Sequence, residues 1–217
     1  MLKKIVYILI VQLLATTSFA EVSNNSRFSR HFYIGGLGGY GSTTWEGLVP
    51  SLEKQNSAIG ISTPIRVEEG GGVYGFLAGY EFSPYFAIEG NYFKYPDAKI
   101  HFEDISLFSF NNDGKTHFST RTNAYSLMGK IMLVIPKTYL RAFSSFGIAD
   151  VHRKDLLNDH WRLSPTFGAG INYHITDRIM ADLGGNYIAG YGESELNPTE
   201  VYFPFLYSVT FRLAYYF

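Results

Sequence analysis

Apolar and polar residues alternate with a period of two along most of the chain beyond residue 31. In the last stretch Phe205, Tyr207, Val209, Phe211, Leu213, Tyr215 and Phe217 share one face, with Leu206, Ser208, Thr210, Arg212, Ala214 and Tyr216 on the other. Successive side chains of an extended chain point to opposite sides, so this alternation predicts strands with one buried face. The rhythm recurs where Phe167, Ala169, Ile171 and Tyr173 oppose Ser164, Thr166, Gly168, Gly170, Asn172 and His174, and where Tyr125, Leu127, Ile131 and Leu133 oppose Ala124, Ser126, Met128, Lys130 and Met132. It recurs again where Tyr74, Phe76, Ala78, Tyr80 and Phe82 oppose Val73, Gly75, Leu77, Gly79 and Glu81. Eight strands are expected in all, at about 31–43, 72–82, 85–95, 121–135, 138–150, 162–175, 178–190 and 205–217. Each is long enough to cross hydrocarbon as a tilted strand, which takes about ten residues. The first is so glycine-rich that its outward face stays open.

The connections alternate too. Ser83-Pro84, Pro136-Lys137 and Thr176-Asp177 mark short turns, whereas 44–71, 96–120, 151–161 and 191–204 are expected to be long loops. Short turns on one side, long loops on the other and both chain ends with the turns require an even strand number. The fold class expected is all-β: an eight-stranded antiparallel up-and-down transmembrane β-barrel with short periplasmic turns and long extracellular loops.

One apolar face does not by itself separate a membrane barrel from a soluble one. The opposite face does. Across the four strands just described its only charged residues are Glu81, Lys130 and Arg212, and most of the rest are small. A water-facing surface would carry a quarter or more of its positions as charges; a narrow barrel interior would not. Aromatics also gather near strand ends, Tyr74, Tyr125, Tyr187 and Tyr207 on the loop side and Phe82, Tyr173, Tyr215 and Phe217 on the turn side, where amphipathic rings favour the membrane interface.

Composition agrees. The 217 residues include 18 Phe and 17 Tyr but no Cys, which excludes a disulfide scaffold, a thiolate zinc site and a cysteine nucleophile. The net charge of −1 argues against nucleic acid as a partner. At the N-terminus Lys3 and Lys4 precede the apolar run Ile5 to Leu14, and Ser18 and Ala20 stand at −3 and −1 of a cut before Glu21. Residues 1–20 thus read as a cleaved secretory signal peptide, and 21–217 as the outer-membrane barrel domain.

The segments Phe32-Tyr33-Ile34-Gly35-Gly36, Gly75-Phe76-Leu77-Ala78-Gly79-Tyr80-Glu81-Phe82 and Phe211 to Phe217 resemble the small eight-stranded outer-membrane barrels, such as the OmpA transmembrane domain, OmpX and opacity-type surface antigens. The resemblance runs over the whole mature chain, without the peptidoglycan-binding domain of OmpA. It implies a bacterial outer-membrane location, contact with membrane lipid and lipopolysaccharide, and a monomer. It also implies that Phe211, Leu213, Tyr215 and Phe217 form the signal read by the barrel-assembly machinery, and that the loops meet a host or surface ligand.

Extending the inward phase adds Glu89, Arg141 and Asp182 to Glu81, Lys130 and Arg212. Buried charges need partners, so these six are expected to form a salt-bridge network across the barrel axis that closes it to solutes. The alternative is a narrow porin-like channel, although water-filled bores belong to barrels of sixteen or more strands.

Other motifs carry less. Gly36-Leu37-Gly38-Gly39-Tyr40-Gly41 matches a dinucleotide fingerprint by letter but lacks the following helix that a phosphate requires. Histidines 31, 101, 117, 152, 160 and 174 have no zinc-site spacing, so neither metal nor cofactor is expected, and His174 is expected in the lumen. His117 and Ser119 share a face of an extended strand and are weak candidates for the base and nucleophile of a lipid A-modifying enzyme, with Glu103 or Asp113 as orienting acid. Lipid A deacylases among the small barrels use such a pair, but nearer their C-terminus. No catalytic site is assigned. Trp45 and Trp161 are expected to anchor at the interface, and Arg153, Lys154 and Arg162 to meet lipopolysaccharide phosphates.

Overall fold

The computed structural model describes residues 31–45, 64–156, 158–191 and 202–217; the expected signal peptide lies outside them. The strands are β1 (Phe32–Ser42), β2 (Arg66–Glu68), β3 (Gly71–Ser83), β4 (Phe86–Lys94), β5 (Ala98–His101), β6 (His117–Val134), β7 (Leu140–Lys154), β8 (Asp159–His174), β9 (Ile179–Ile188) and β10 (Leu206–Tyr216). Setting aside the short β2 and β5, eight antiparallel strands pair in the order β1-β3-β4-β6-β7-β8-β9-β10, and β10 pairs back onto β1. Closure matters because a bilayer offers no water to an unpaired backbone group. The first and last strands meet at Tyr33↔Tyr216, so both ends of the cylinder's wall lie on the side of the turns near Ser83, Pro136 and Thr176.

Burial alternates as the pattern of residue types requires. On β10 Phe211, Leu213 and Tyr215 face out while Thr210, Arg212, Ala214 and Tyr216 are buried. All eight girdle aromatics are exposed, Tyr74, Tyr125, Tyr187 and Tyr207 towards one rim, Phe82, Tyr173, Tyr215 and Phe217 towards the other. The structure also settles β1: Tyr33 and Leu37 point inward, and Phe32, Ile34 and Tyr40 outward. Its neighbour β3 must carry glycine where the bore is tightest. A Cβ at Gly75 would lie 1.8 Å from the Tyr92 carbonyl oxygen, and one at Gly79 would lie 2.3 Å from the Tyr33 ring.

The loop side departs from expectation, since the expected loop 44–71 contains β2 and two others are structured as well. The expected loop 151–161 is the upper part of a long hairpin, with β7 and β8 still paired at Lys154↔Asp159. Inward Val151 and Arg153 continue the alternation, but a buried arginine there reads in sequence as a polar loop residue. The expected loop 96–120 contains β5, a single-turn helix (Leu107–Asn111) and the first residues of β6. The helix starts under Ser106, whose hydroxyl accepts the Ser109 N–H at 3.1 Å. There β2, β5 and β6 form a small sheet above the cylinder, paired through Arg66↔His101 and His101↔His117.

That sheet encloses a second apolar core of Trp45, Ala98, Ile100, Phe102, Phe108, Phe118 and Tyr202. Phe102 stacks on Phe108 with ring centroids 4.2 Å apart. Trp45, expected at the membrane interface, is wholly buried here, because Ala98 and Ile100 of β5, Phe118 of β6, Phe102, Phe108 and Tyr202 cluster with it and Arg153 lies 4.6 Å above its ring. Trp161 remains half-exposed and stacks on His152 at 4.2 Å.

Candidate functional site in the barrel lumen

Six inward positions on six strands bring the lumen charges together. Glu81 comes from β3, Glu89 from β4, Lys130 from β6, Arg141 from β7, Asp182 from β9 and Arg212 from β10, and all six are buried. Each stands in the inward phase of its strand, so the cylinder aims every one of them at the axis.

They sort into two tiers. Near the turns Arg141 grips Glu81 with both terminal nitrogens, Nη2 to Oε1 at 2.7 Å and Nη1 to Oε2 at 3.1 Å. The same guanidinium donates from Nε to Asn172 Oδ1 at 2.9 Å and from Nη2 to His174 Nε2 at 2.7 Å. A guanidinium only donates, so in this contact the imidazole accepts through Nε2. The Tyr216 hydroxyl donates to Glu81 Oε1. At mid-barrel Lys130 Nζ lies 2.8 Å from Asp182 Oδ2 and 3.5 Å from Glu89 Oε2, while Arg212 Nη1 reaches Glu89 Oε1 at 2.8 Å. The Tyr33 hydroxyl donates to Glu89 Oε2 at 2.8 Å, and Lys130 also sits 3.9 Å over the Phe143 ring. Gly79 is what leaves room for the Tyr33 ring to arrive there.

Every charge therefore has an opposite partner, and most have a neutral hydrogen-bond donor or acceptor as well. That arrangement offsets the desolvation that would exclude isolated ions. Above the mid-barrel tier an apolar layer of Leu37, Val73, Phe93, Val151, Ile188 and Leu206 packs together beside buried polar side chains such as Asn91, Ser126, Asn186 and Ser208. This layer was not expected, because no single strand displays it. Tyr216, Asn172 and His174 were readable as inward residues but not as partners of particular ions. Tyr33 was hidden by the glycines of β1.

The other candidates lie elsewhere. His117 and Ser119 do share the outward face of β6, well above the lumen, yet no hydrogen bond joins them among the described residues. The His117 ring faces His101 instead, with centroids 5.7 Å apart. Neither Glu103 nor Asp113 lines the pocket these residues share. Among the described residues no group of His, Asp and Glu is arranged to hold a metal ion. Phe211, Leu213, Tyr215 and Phe217 all face outward, and the Phe217 N–H donates to the Phe32 carbonyl at 3.0 Å.

The basic trio expected to meet lipopolysaccharide is split by the fold. Arg153 is buried, 2.6 Å from Asp155 and donating to the Tyr202 carbonyl, so it cannot reach a phosphate. Lys154 is exposed and pairs with Asp159 at 2.8 Å, and Arg162 lies 3.1 Å over the Tyr191 ring. Hydrogen bonds from Lys154 and then His152 hold the Asp159 carboxyl down at about 2.

The sequence profile described as Outer membrane protein beta-barrel domain matches residues 10–208. An uncharacterized protein of Coxiella burnetii is 27% identical over 259 aligned positions that cover 99% of each chain. Among solved structures the chain is similar to the outer membrane protein OprG of Pseudomonas aeruginosa, with TM-score 0.52 and 10% identity over 88% of this chain and 97% of that one. Neisserial surface protein A gives 0.49 and 12% over 86% and 97%. Ail of Yersinia pestis, in complex with the heparin analogue sucrose octasulfate, gives 0.41 and 14% over 86% and 97%. The OprG likeness agrees with the cylinder traced here.

Proposed function

Because this chain belongs to the outer membrane protein β-barrel domain family and is an outer-membrane protein, we propose that it is a closed cylinder whose work is done by what it displays outside the membrane. The observation that carries this reading is the lumen. A solute would have to cross the Arg141–Glu81 tier, the Lys130–Asp182–Glu89–Arg212 tier and the apolar layer above them in turn. The enclosed core around Trp45 then holds the β2-β5-β6 sheet rigid above the bilayer, as a surface presented to partners.

The proposal has three corollaries. The chain is exported with residues 1–20 removed. The outward row Phe211, Leu213, Tyr215 and Phe217 is the segment the assembly machinery reads. Lys154 and Arg162 supply cations for lipopolysaccharide, with no part for Arg153. The two charge tiers argue against the narrow channel, and the absence of a hydrogen bond between His117 and Ser119 among the described residues gives no support to lipid A chemistry.

Planar-bilayer recording of the purified full chain tests the reading. Silent membranes across a range of applied voltage are expected. Reproducible discrete conductance steps would replace the closed cylinder with a channel.

A further inference from the structure

The outer face of the β2-β5-β6 sheet carries two cross-strand rungs. One runs Arg66, His101, His117, and the next Glu68, Lys99, Ser119. Strand alternation puts all six on the side away from the aromatic core. Lys115 stands just before β6, and Leu156 reaches over from beyond β7. These side chains line an open pocket of about 420 Å³ bordered by Glu68, Lys99, His101, Lys115, His117, Phe118, Ser119 and Leu156. That is within the range of small-molecule sites.

The charges in it are lopsided. Lys99 and Lys115 are exposed and neither has an ionic partner among the described residues. The pocket's single acid, Glu68, is already held by Arg66 at 2.9 Å. His101 Nε2 is buried with no hydrogen-bond partner among the described residues, its nearest acid being Glu68 Oε1 at 3.9 Å. Two ammoniums without an ionic partner among the described residues, two facing imidazoles and the Ser119 hydroxyl thus surround a single, already paired acid. Such a set fits a multiply charged oxyanion.

The position narrows the ligand further. From Tyr125 in the aromatic girdle to Ser119 the strand runs roughly 20 Å at about 3.3 Å per residue, or about 15 Å in height at a tilt near 40°. The pocket therefore stands beyond the lipid headgroups, among sugars. Leu156 supplies an apolar wall for the carrier of the charge. We propose that this pocket binds a phosphate monoester borne on a sugar, with Lys99 and Lys115 holding the phosphate, His101 and His117 donating to it and Ser119 completing the cradle. The site lies outside the cylinder, so it stands whether or not the lumen conducts.

Glucose 1-phosphate added to the full chain in a maltoside detergent is the probe, followed through the imidazole resonances of His101 and His117. Saturable shifts are expected, absent with glucose, and at least tenfold weaker binding for the Lys99→Ala/Lys115→Ala double variant. Both lysines are exposed, so that variant should keep the heat-modifiable gel mobility of the parent. A second arm replaces the ester with phosphorylated or dephosphorylated lipopolysaccharide. Shifts with the phosphorylated form alone assign the sugar to the surrounding leaflet, and shifts with the soluble ester alone assign it to a free ligand. Equal responses to glucose and its phosphate, no shift with any phosphorylated probe, or unchanged affinity in the double variant would overturn the proposal.

Discussion

The molecule has two interiors built on opposite principles. The lower lumen is built round paired ions with an apolar layer above them, in a wall rich in glycine and small residues, whereas the space under the β2-β5-β6 sheet is filled by rings and aliphatic side chains. The difference follows from what holds each wall. Around the lumen every strand has two neighbours, so the backbone ladder closes on itself and the contents are free to be polar, provided that they pair. Among the described residues the upper sheet ends at β2, a strand of three residues paired on one side alone. It has no closed ladder, and its order depends on apolar burial. Paired charge goes with the closed ladder; aromatics support the sheet that lacks one.

The strongest way to break this contrast is to orphan a lumen ion. Arg141→Ala leaves Glu81 buried without its cation and should cost about 3–5 kcal/mol, read as a lower urea midpoint for loss of folded mobility in detergent. The counterpart in the other interior is Trp45→Ala. Emptying that site should cost about 3 kcal/mol, but locally: protease cuts should appear around β2 and β5 while the cylinder keeps its heat-modifiable mobility. If Trp45→Ala unfolded the barrel as readily as Arg141→Ala, the two interiors would be one cooperative unit.

A smaller effect sharpens the steric side of the comparison. Gly79→Ala places a methyl where the Tyr33 ring lies, and overpacking of this kind costs about 1–3 kcal/mol. Because Tyr33 is the donor to Glu89, the Tyr33→Phe/Gly79→Ala double variant should lose less than the sum of the two single variants.

The smallest effect lies at the exposed tip of the β7–β8 hairpin. The Asp159 carboxyl is held at about 2 by Lys154 and His152, below its unfolded value. Its contribution is therefore present above an unfolded carboxylate's pKa near 4 and is lost as the pH falls through about 2. With Lys154 and Asp159 both solvent-exposed, global stability should barely respond. Carbon-detected NMR should show a carboxyl midpoint near 2 that moves up towards the ordinary carboxylate range in Lys154→Ala.

The same contrast explains how much of the protein was readable in one dimension. In the wall, side-chain polarity and face agree at nearly every step: Phe211 out and Arg212 in, Leu127 out and Met128 in. All six lumen ions follow from that phase. Their pairing does not, because Arg141 and Glu81 lie on strands that touch no common neighbour in the sheet order and meet only across the bore. Above the membrane the rule weakens, since both faces of the extension are partly polar or partly covered. Thr120 and Thr122 point inward there, Arg153 is buried against Trp45, and His117 and Ser119 face out. A period-two pattern with threonine and arginine on its inner side looks like a loop, and 96–120 and 151–161 read as loops for that reason. Trp45 shows the limit most plainly, for an indole beside a predicted rim suits an interface anchor or a core equally until the rings that cover it are placed.

The most direct test of the paired lumen is a double-mutant cycle on Glu81 and Arg141, each replaced by methionine singly and together, with unfolding followed in urea. Each single change strands a buried charge, so the account predicts two strongly destabilised variants and a double variant more stable than either. Losses that simply add would mean that the two side chains do not meet across the bore, and the account of the lumen would fail.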